Sequence, residues 1–281
     1  MHLIAELKSV MRGLLARTPM QYLPVRVRKG LARGAKWTLF PYSANWRGHT
    51  EMDIEAAILH HGSLRGRVCW DLGAHFGIYT VGMAFAVGQE GHVYGFEPDP
   101  VSFARCRRHV RMNKLDWVTI FNLAVSDSDG ARELLVGPNL GAATSHFAYE
   151  DEHQNPDERK VQVNLTTLDS LVESGEILPP DFIKVDVEGH GAKALKGAQR
   201  TIAAHLPTMV MSFHSLWERD GTRELLDPLG YRAYGSAGME MDWDATLYRT
   251  VVLRSRRTEE RVHFGSDVAG SNSHEAGRNA S

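Results

Sequence analysis

Residues 182–190 read FIKVDVEGH, and Lys184, Asp186, Glu188 and His190 stand at every second position among them. Phe182, Ile183, Val185 and Val187 have the character of a buried strand in a parallel sheet. Side chains alternate between the two faces of a strand, so the charged set shares one face. A charge in an apolar core is costly unless it is paired or coordinated. The set is therefore expected to run toward the carboxyl end of the strand, where open α/β sheets bind their ligands. Gly189 lets the backbone bend there, and Lys184, lying deeper, is expected to be the counter-ion of its neighbours. The stretch TMVMSFH brings a second imidazole, His214, to the end of the following strand. If the two strands are neighbours, two imidazoles and two carboxylates converge.

Three chemistries suit such a set. An imidazole or carboxylate can take the proton of a hydroxyl nucleophile. Histidine and carboxylates can also hold a metal, but no HxH or HExxH spacing supports a site and none is assigned. The third is an ion-paired strand end with a structural role alone. Base catalysis is preferred, with His190 as first candidate because imidazole titrates nearest neutrality. His214 is the reserve. Asp186, with Glu188 beside it, is expected to position an acceptor or offset a positive charge.

A second group of residues lies upstream. VCWDLGAHFGIYTVGMA places Asp71, Gly73 and Gly77 between a strand and a helix. Such a turn offers backbone N–H groups and a helix N-terminus to a ligand. Twenty residues beyond Gly77, VYGFEP ends a strand at Glu97, where an acid can accept ribose hydroxyls. A dinucleotide turn needs a second glycine for close approach to the pyrophosphate, and His75 occupies that position. NAD and FAD are disfavoured on this ground. S-adenosylmethionine has the ribose and adenine without a phosphate, and Asp71 is expected to meet its ammonium group.

The elements that must position these residues follow a regular alternation. Strands are expected at 67–72, 92–96, 118–125, 181–187 and 208–213, with helices at 78–87, 101–113 and 192–205. Residues 132–136 and 161–165 read as extra strands around a polar loop at 137–160. After a short helix, 231–234 and 248–254 read as a closing pair. Strands alternating with helices imply an open, mostly parallel sheet covered on both faces.

Composition bounds the rest. The 281 residues are 43% hydrophobic and 23% charged, the balance of a globular protein. No apolar run reaches the roughly 18 residues of a spanning helix, and no cleavable leader is apparent. Cys69 and Cys106 show no CxxC pattern and read as packing thiols in a reducing, cytoplasmic compartment. Net charge is −2, but residues 1–50 carry nine Lys or Arg and one acid, Glu6. Leu3, Leu7, Val10 and Leu14 form a helical apolar stripe flanked by Lys8 and Arg12. Residues 1–36 are thus expected either to lie peripherally on an anionic membrane or to pack on the domain. The organisation expected is a basic extension at 1–45, a catalytic domain at 46–255 and a disordered tail at 256–281.

DLGAHFGIYT, GHVYGFEPDPVSF, NLAVSDSDG, TTLDSL and FIKVDVEGHGAKALKGA, in this order, resemble the FkbM family of S-adenosylmethionine-dependent methyltransferases. The similarity runs from about Trp46 to Leu253. It implies a class I methyltransferase fold, Rossmann-like, with a seven-stranded sheet whose last strand is antiparallel. It also implies O-methylation of a hydroxyl on a sugar, glycolipid or secondary metabolite. By motif, Asp71, Gly73, Gly77 and Glu97 would bind the cofactor, with Asp127 near the adenine, and Asp186, Glu188 and His190 would face the sulfonium and acceptor. Two positions depart from the family: His75 replaces an Asn, and Gly191 replaces an acid after His190. Two rivals stand beside this reading. One is a nucleoside-binding protein without catalysis, against which the retained Asp186, Glu188, His190 and His214 argue. The other is a nucleic-acid methyltransferase using the basic N-terminus, disfavoured because no aromatic RNA-reading motif is present.

Overall fold

A computed structural model describes residues 18–257 except 41–42, 44, 49–51, 61, 138–145 and 148–157. The apolar stripe at 3–15, most of the polar loop at 137–160 and residues 258–281 lie outside the described residues. An antiparallel pair, β1 (Pro24–Arg26) and β2 (Lys36–Thr38), precedes helix α1 (Met52–His60). The alternation then begins: β3 (Val68–Leu72), α2 (Ile78–Val87), β4 (His92–Phe96), α3 (Pro100–Met112) and β5 (Val118–Phe121). A small sheet follows, built from β6 (Ala124–Val125), β7 (Gly130–Val136), β8 (His146–Phe147) and β9 (Arg159–Thr166). The chain continues through α4 (Leu168–Glu173), β10 (Phe182–Val185), α5 (Gly191–Lys196), α6 (Gln199–His205) and β11 (Thr208–Ser212). It closes with α7 (Leu216–Leu226), β12 (Tyr231–Tyr234), β13 (Glu240–Met241) and β14 (Thr250–Ser255).

Among the described residues the main sheet has the order β13-β12-β14-β11-β10-β3-β4-β5. Strands β11, β10, β3, β4 and β5 are mutually parallel, and β14 lies antiparallel between β11 and β12. This is the class I α/β arrangement, with eight strands where seven were expected. The additional one, β13, is a two-residue edge strand paired to β12.

The central strands are apolar because both of their faces are covered. Trp70, Leu72, Ile183 and Val185 face a cluster that includes Leu195 and Ile202 of α5 and α6. Cys69 and Phe182 face the opposite cluster, with Val81 and Met83 of α2 and Ile54 and Ile58 of α1. Val27, Ala32, Ala35 and Trp37 are buried in that second cluster, so residues 24–40, expected to lie in the extension, are packed into the domain. Cys69 and Cys106 are buried and unpaired.

Two elements are broken where continuous ones were expected. Residues 118–125 divide into β5 and β6, which belong to different sheets. At the break, the Asn122 side chain donates to the carbonyls of Glu97 and Pro98 at 2.9 and 2.8 Å. Residues 192–205 divide into α5 and α6 at Gly197, where a Cβ would collide with the Ser126 carbonyl. Other boundaries follow local chemistry. Asp99 caps α3 by accepting from Ser102 N–H at 2.9 Å, with Pro100 in the first turn. Among the described residues, no helix is long and apolar enough to cross a membrane.

Candidate active site

The carboxyl ends of β3, β4 and β10 open onto a cavity of about 250 Å³. One wall is made by the Gly73–His75 turn, Glu97 and the Lys184–Glu188 segment. The facing wall comes from the small sheet, through Ala124, Val125, Leu134 and Phe147. The strands around residues 132–136 and 161–165 were legible in the sequence, but nothing in their pattern said that their sheet would close a ligand cavity.

Gly73 and His75 both adopt left-handed backbone, with φ of 83° and 48°. At Gly73 a Cβ would strike the Asp186 carbonyl, so the turn touches the end of β10 through glycine alone. At His75 a left-handed φ is tolerated best by Asn, Asp or His, so an imidazole residue suits the backbone of this turn. The N–H groups of this turn are largely spent within the protein. Those of Gly73 and Ala74 donate to the Phe96 carbonyl, and that of His75 donates to Glu97 Oε2 at 2.7 Å. Glu97 Oε1 accepts from Asp99 N–H at 2.9 Å. Burial nevertheless outweighs these two donors and lifts the Glu97 carboxyl to about 7. Each of its oxygens keeps a lone pair for a further donor, so the cavity fits a ribose diol at this point. Burial and Lys184 lower the His75 imidazole to about 4, leaving it neutral.

Asp71 does not line the cavity. It is fully buried beneath the turn, where it accepts from Thr80 Oγ1 at 2.5 Å and lies 3.1 Å from Lys184 Nζ. Lys184 and Asp71 are direct partners across the β3–β10 register. Lys184 also donates to the Gly73 carbonyl at 2.8 Å. The pair braces the turn from below, in place of the expected contact between Asp71 and a ligand ammonium. Gly77 is likewise structural in position. A Cβ there would meet Cys106 Sγ at 2.6 Å, so it sets the approach of α2 to α3.

The four groups at the end of β10 and β11 part company. β10 and β11 are parallel neighbours, and Asp186, Glu188 and His214 converge. His214 Nε2 lies 3.6 Å from Asp186 Oδ1 and 3.8 Å from Glu188 Oε2. Its Nδ1 is 3.5 Å from Glu218 Oε2, the outer edge of hydrogen-bond reach. Glu218 is the main cause holding the His214 imidazole up at about 9, with Glu188 and Asp186 adding to it against the effect of burial. His190 sits elsewhere, on the cavity wall as N-cap of α5. Its Nε2 lies 3.1 Å from Ser126 Oγ and its ring packs on Phe147. Burial lowers it to about 4. Asp127 lies away from the cavity, 3.7 Å from Lys196 Nζ beside a groove bordered by Trp217.

Glu218 was absent from the sequence candidates. It is fully buried and accepts from the N–H groups of Gly191 and His214, both at 2.8 Å. One carboxylate thereby joins the loops that follow β10 and β11. Ser215 accepts from Glu218 N–H at 3.1 Å as N-cap of α7. The Ser-x-x-Glu spacing was the available signal.

An open α/β sheet of this order, with a glycine turn and a strand-end acid around one cavity, is the fold of the class I methyltransferases. The family model described as Methyltransferase FkbM domain matches residues 71–235. The chain belongs to the FkbM methyltransferase family. It is 28% identical over 167 residues to the hexuronic acid methyltransferase AglP of Haloferax volcanii. That match covers 58% of this chain and 64% of the relative, so the chain spans less than two thirds of that protein's length. Among solved structures, the FkbM methyltransferase from Methylobacillus flagellatus KT aligns with a TM-score of 0.46 at 20% identity, over 76% of this chain and 47% of that one. An O-methyltransferase from Bacillus cereus in complex with SAH aligns with a TM-score of 0.40 at 13% identity, over 72% and 79% of the two chains.

Proposed function

We propose that the protein methylates a hydroxyl of a sugar, glycolipid or secondary metabolite. The observation that carries this reading is the pair of carboxylates, Asp186 and Glu188, on the wall of the cavity that holds the glycine turn. The name of the relative AglP supports a sugar-like acceptor, and a hexuronic acid offers both hydroxyls and a carboxylate. A carboxylate acceptor is already ionised and would be repelled by Asp186 and Glu188. A hydroxyl must lose a proton as it attacks, and a carboxylate beside it can take that proton.

When bound, S-adenosylmethionine supplies an electrophilic methyl group on a sulfonium. Glu97 accepts the ribose hydroxyls, and the Asp71–Lys184 pair keeps the turn in shape beneath them. Asp186 takes the acceptor proton. His214, already protonated among three carboxylates, cannot accept another at neutral pH and instead offsets negative charge beside Asp186. His190 is neutral, but it faces Ser126 and shapes the wall.

The test supplies the protein with S-adenosylmethionine carrying a tritiated methyl and fractionated sugar and lipid extracts. Label in those fractions that survives mild alkali is expected, because ethers resist alkali and esters do not. Alkali-labile label would move the acceptor to a carboxyl group, and label in nucleic acid would favour the rival reading. Asp186→Asn should slow single-turnover transfer by about 10²–10⁴ with little change in S-adenosylhomocysteine affinity, and His190→Ala should slow it less.

A further inference from the structure

We propose that the groove between α5 and α7 is a saccharide subsite, which takes a sugar residue next to the one that is methylated. This rests on the sugar-acceptor reading above. The groove has a volume of about 480 Å³ and is separate from the cavity that holds the glycine turn. Trp217 borders it, and Ala192 and Gly221 line it where the two helices meet. A Cβ at Gly221 would stand 3.1 Å from that of Ala192, so small residues bring α5 and α7 together there.

The first support is the place of the groove. α5 and α7 follow β10 and β11, so their first turns stand at the carboxyl edge of the sheet, where ligands bind. Val125 and His190 line the cavity, while Asp127 and Ala192, two positions beyond each, line the groove. Ser126 Oγ and His190 Nε2, 3.1 Å apart, lie between the two pairs. A contact between two side chains thus divides the groove from the cavity, and a chain of sugars can cross it.

The second is an aromatic face. Leu216 and Trp217, in the first turn of α7, are 54% and 50% exposed. A helix packed on a sheet keeps its large apolar side chains on the inner face, so this pair departs from the pattern. The face of an indole carries negative charge from its quadrupole, and the polarised C–H groups on one face of a pyranose suit it. Lys193 Nζ, 5.8 Å from the Trp217 ring centroid, holds the indole from the side of α5.

The third is the polar complement. Lys196 Nζ lies 3.7 Å from Asp127 Oδ2, an ion pair too long to be a hydrogen bond. Gln199 and Glu224 also line the groove. Every sugar hydroxyl both donates and accepts, and this lining offers both: carboxylates accept, an ammonium donates, and an amide does either. Lys193 and Lys196 balance Asp127 and Glu224, so the groove lacks the excess of cations that a nucleic acid needs. Asp127, which the family resemblance put near the adenine, thereby acts at the acceptor.

The test uses the full chain labelled with fluorotryptophan, the Trp217 resonance being assigned from its loss in Trp217→Tyr. A glucuronosyl-glucose disaccharide is the probe, and adenosine monophosphate is the control for base stacking. Saturable movement of the Trp217 fluorine resonance by the disaccharide is expected, exceeding that caused by the nucleotide. In methyl transfer to the sugar fractions, Trp217→Ala should raise the acceptor KM by about two- to tenfold, the scale of one stacked ring. Its kcat and S-adenosylhomocysteine affinity should not change, and Trp217→Tyr should recover most of the KM. A merely structural role would lower the melting temperature without that split. Should Trp217→Ala fail to fold, the fluorine titration decides. A motionless Trp217 resonance overturns the proposal and leaves Trp217 on a solvated helix face, and a larger response to the nucleotide overturns it in favour of a base. Methyl label in the sugar fractions with KM indifferent to Trp217→Ala would sink the groove and spare methyl transfer. Disaccharide binding at Trp217 with no label in any sugar fraction would do the reverse.

Discussion

Glu97 answers to two demands that pull its proton in opposite directions. Inside the ligand-free fold, burial lifts its carboxyl from 4.5 to about 7. The folded state therefore holds this proton more tightly than the unfolded state. Its contribution to stability is full below about pH 4.5, falls as pH rises through 7, and is flat beyond. The loss amounts to about 3 kcal/mol at most. A ribose diol, however, donates hydrogen bonds and favours the ionised carboxylate. Cofactor affinity should therefore tighten by about tenfold between pH 6 and pH 8, as the binding-competent form becomes fully populated. Glu97→Gln should bind more weakly and show no such pH dependence. Calorimetry across that range is the check, and a flat profile in the unaltered protein would remove Glu97 from the ribose.

At the scale of elements, the β1–β2 pair has become a clamp on α3. Trp37 stacks on His109 with ring centroids 3.6 Å apart. His109 Nδ1 donates to the Phe76 carbonyl at 2.8 Å, so its Nε2 accepts from Thr38, whose Oγ1 lies at 2.7 Å. The imidazole is neutral, because burial lowers it to about 4. One side chain thus links β2, α3 and the segment just after His75. Trp37 is among the largest fully buried side chains, and its cluster includes Ile54 and Phe76. Trp37→Ala should cost about 3–5 kcal/mol, the usual range for truncating a buried aromatic. Urea denaturation measures it. A loss below about 1 kcal/mol, the level of an ordinary surface change, would mean that the pair only rests on the domain.

On the scale of the whole molecule, charge and packing divide the N-terminal region differently. Residues 1–36 hold eight Lys or Arg and one acid. Those from 24 onward supply buried Val27, Ala32 and Ala35 and so belong to the fold. Membrane contact, if it serves a glycolipid acceptor, then falls to residues 1–17, which carry the apolar stripe with Lys8, Arg12 and Arg17. Removing residues 1–17 should abolish co-sedimentation with anionic liposomes and leave the melting temperature near its original value. Removing residues 1–36 should lower the melting temperature as well. If the full-length protein ignores anionic liposomes at low salt, the peripheral reading fails.

The local signals were sufficient for β3, α2 and β4, whose boundaries fall within a residue of those expected. Apolar runs, a glycine turn and an acid at a strand end act over a few residues, and the chain needs no distant partner to express them. What the sequence could not decide was which side chains meet. Asp71 and Lys184 lie more than a hundred positions apart, and strand register makes them direct partners beneath the turn. Register likewise sets His214 against Asp186 and Glu188, while the turn after Glu188 carries His190 to the wall facing Ser126. The opposite wall belongs to a second sheet, and the break at Asn122 that sends the chain into it is held by carbonyls of the preceding strand end. Periodicity specifies which face of an element is apolar; the positions of those faces relative to one another are decided only when the sheets pack.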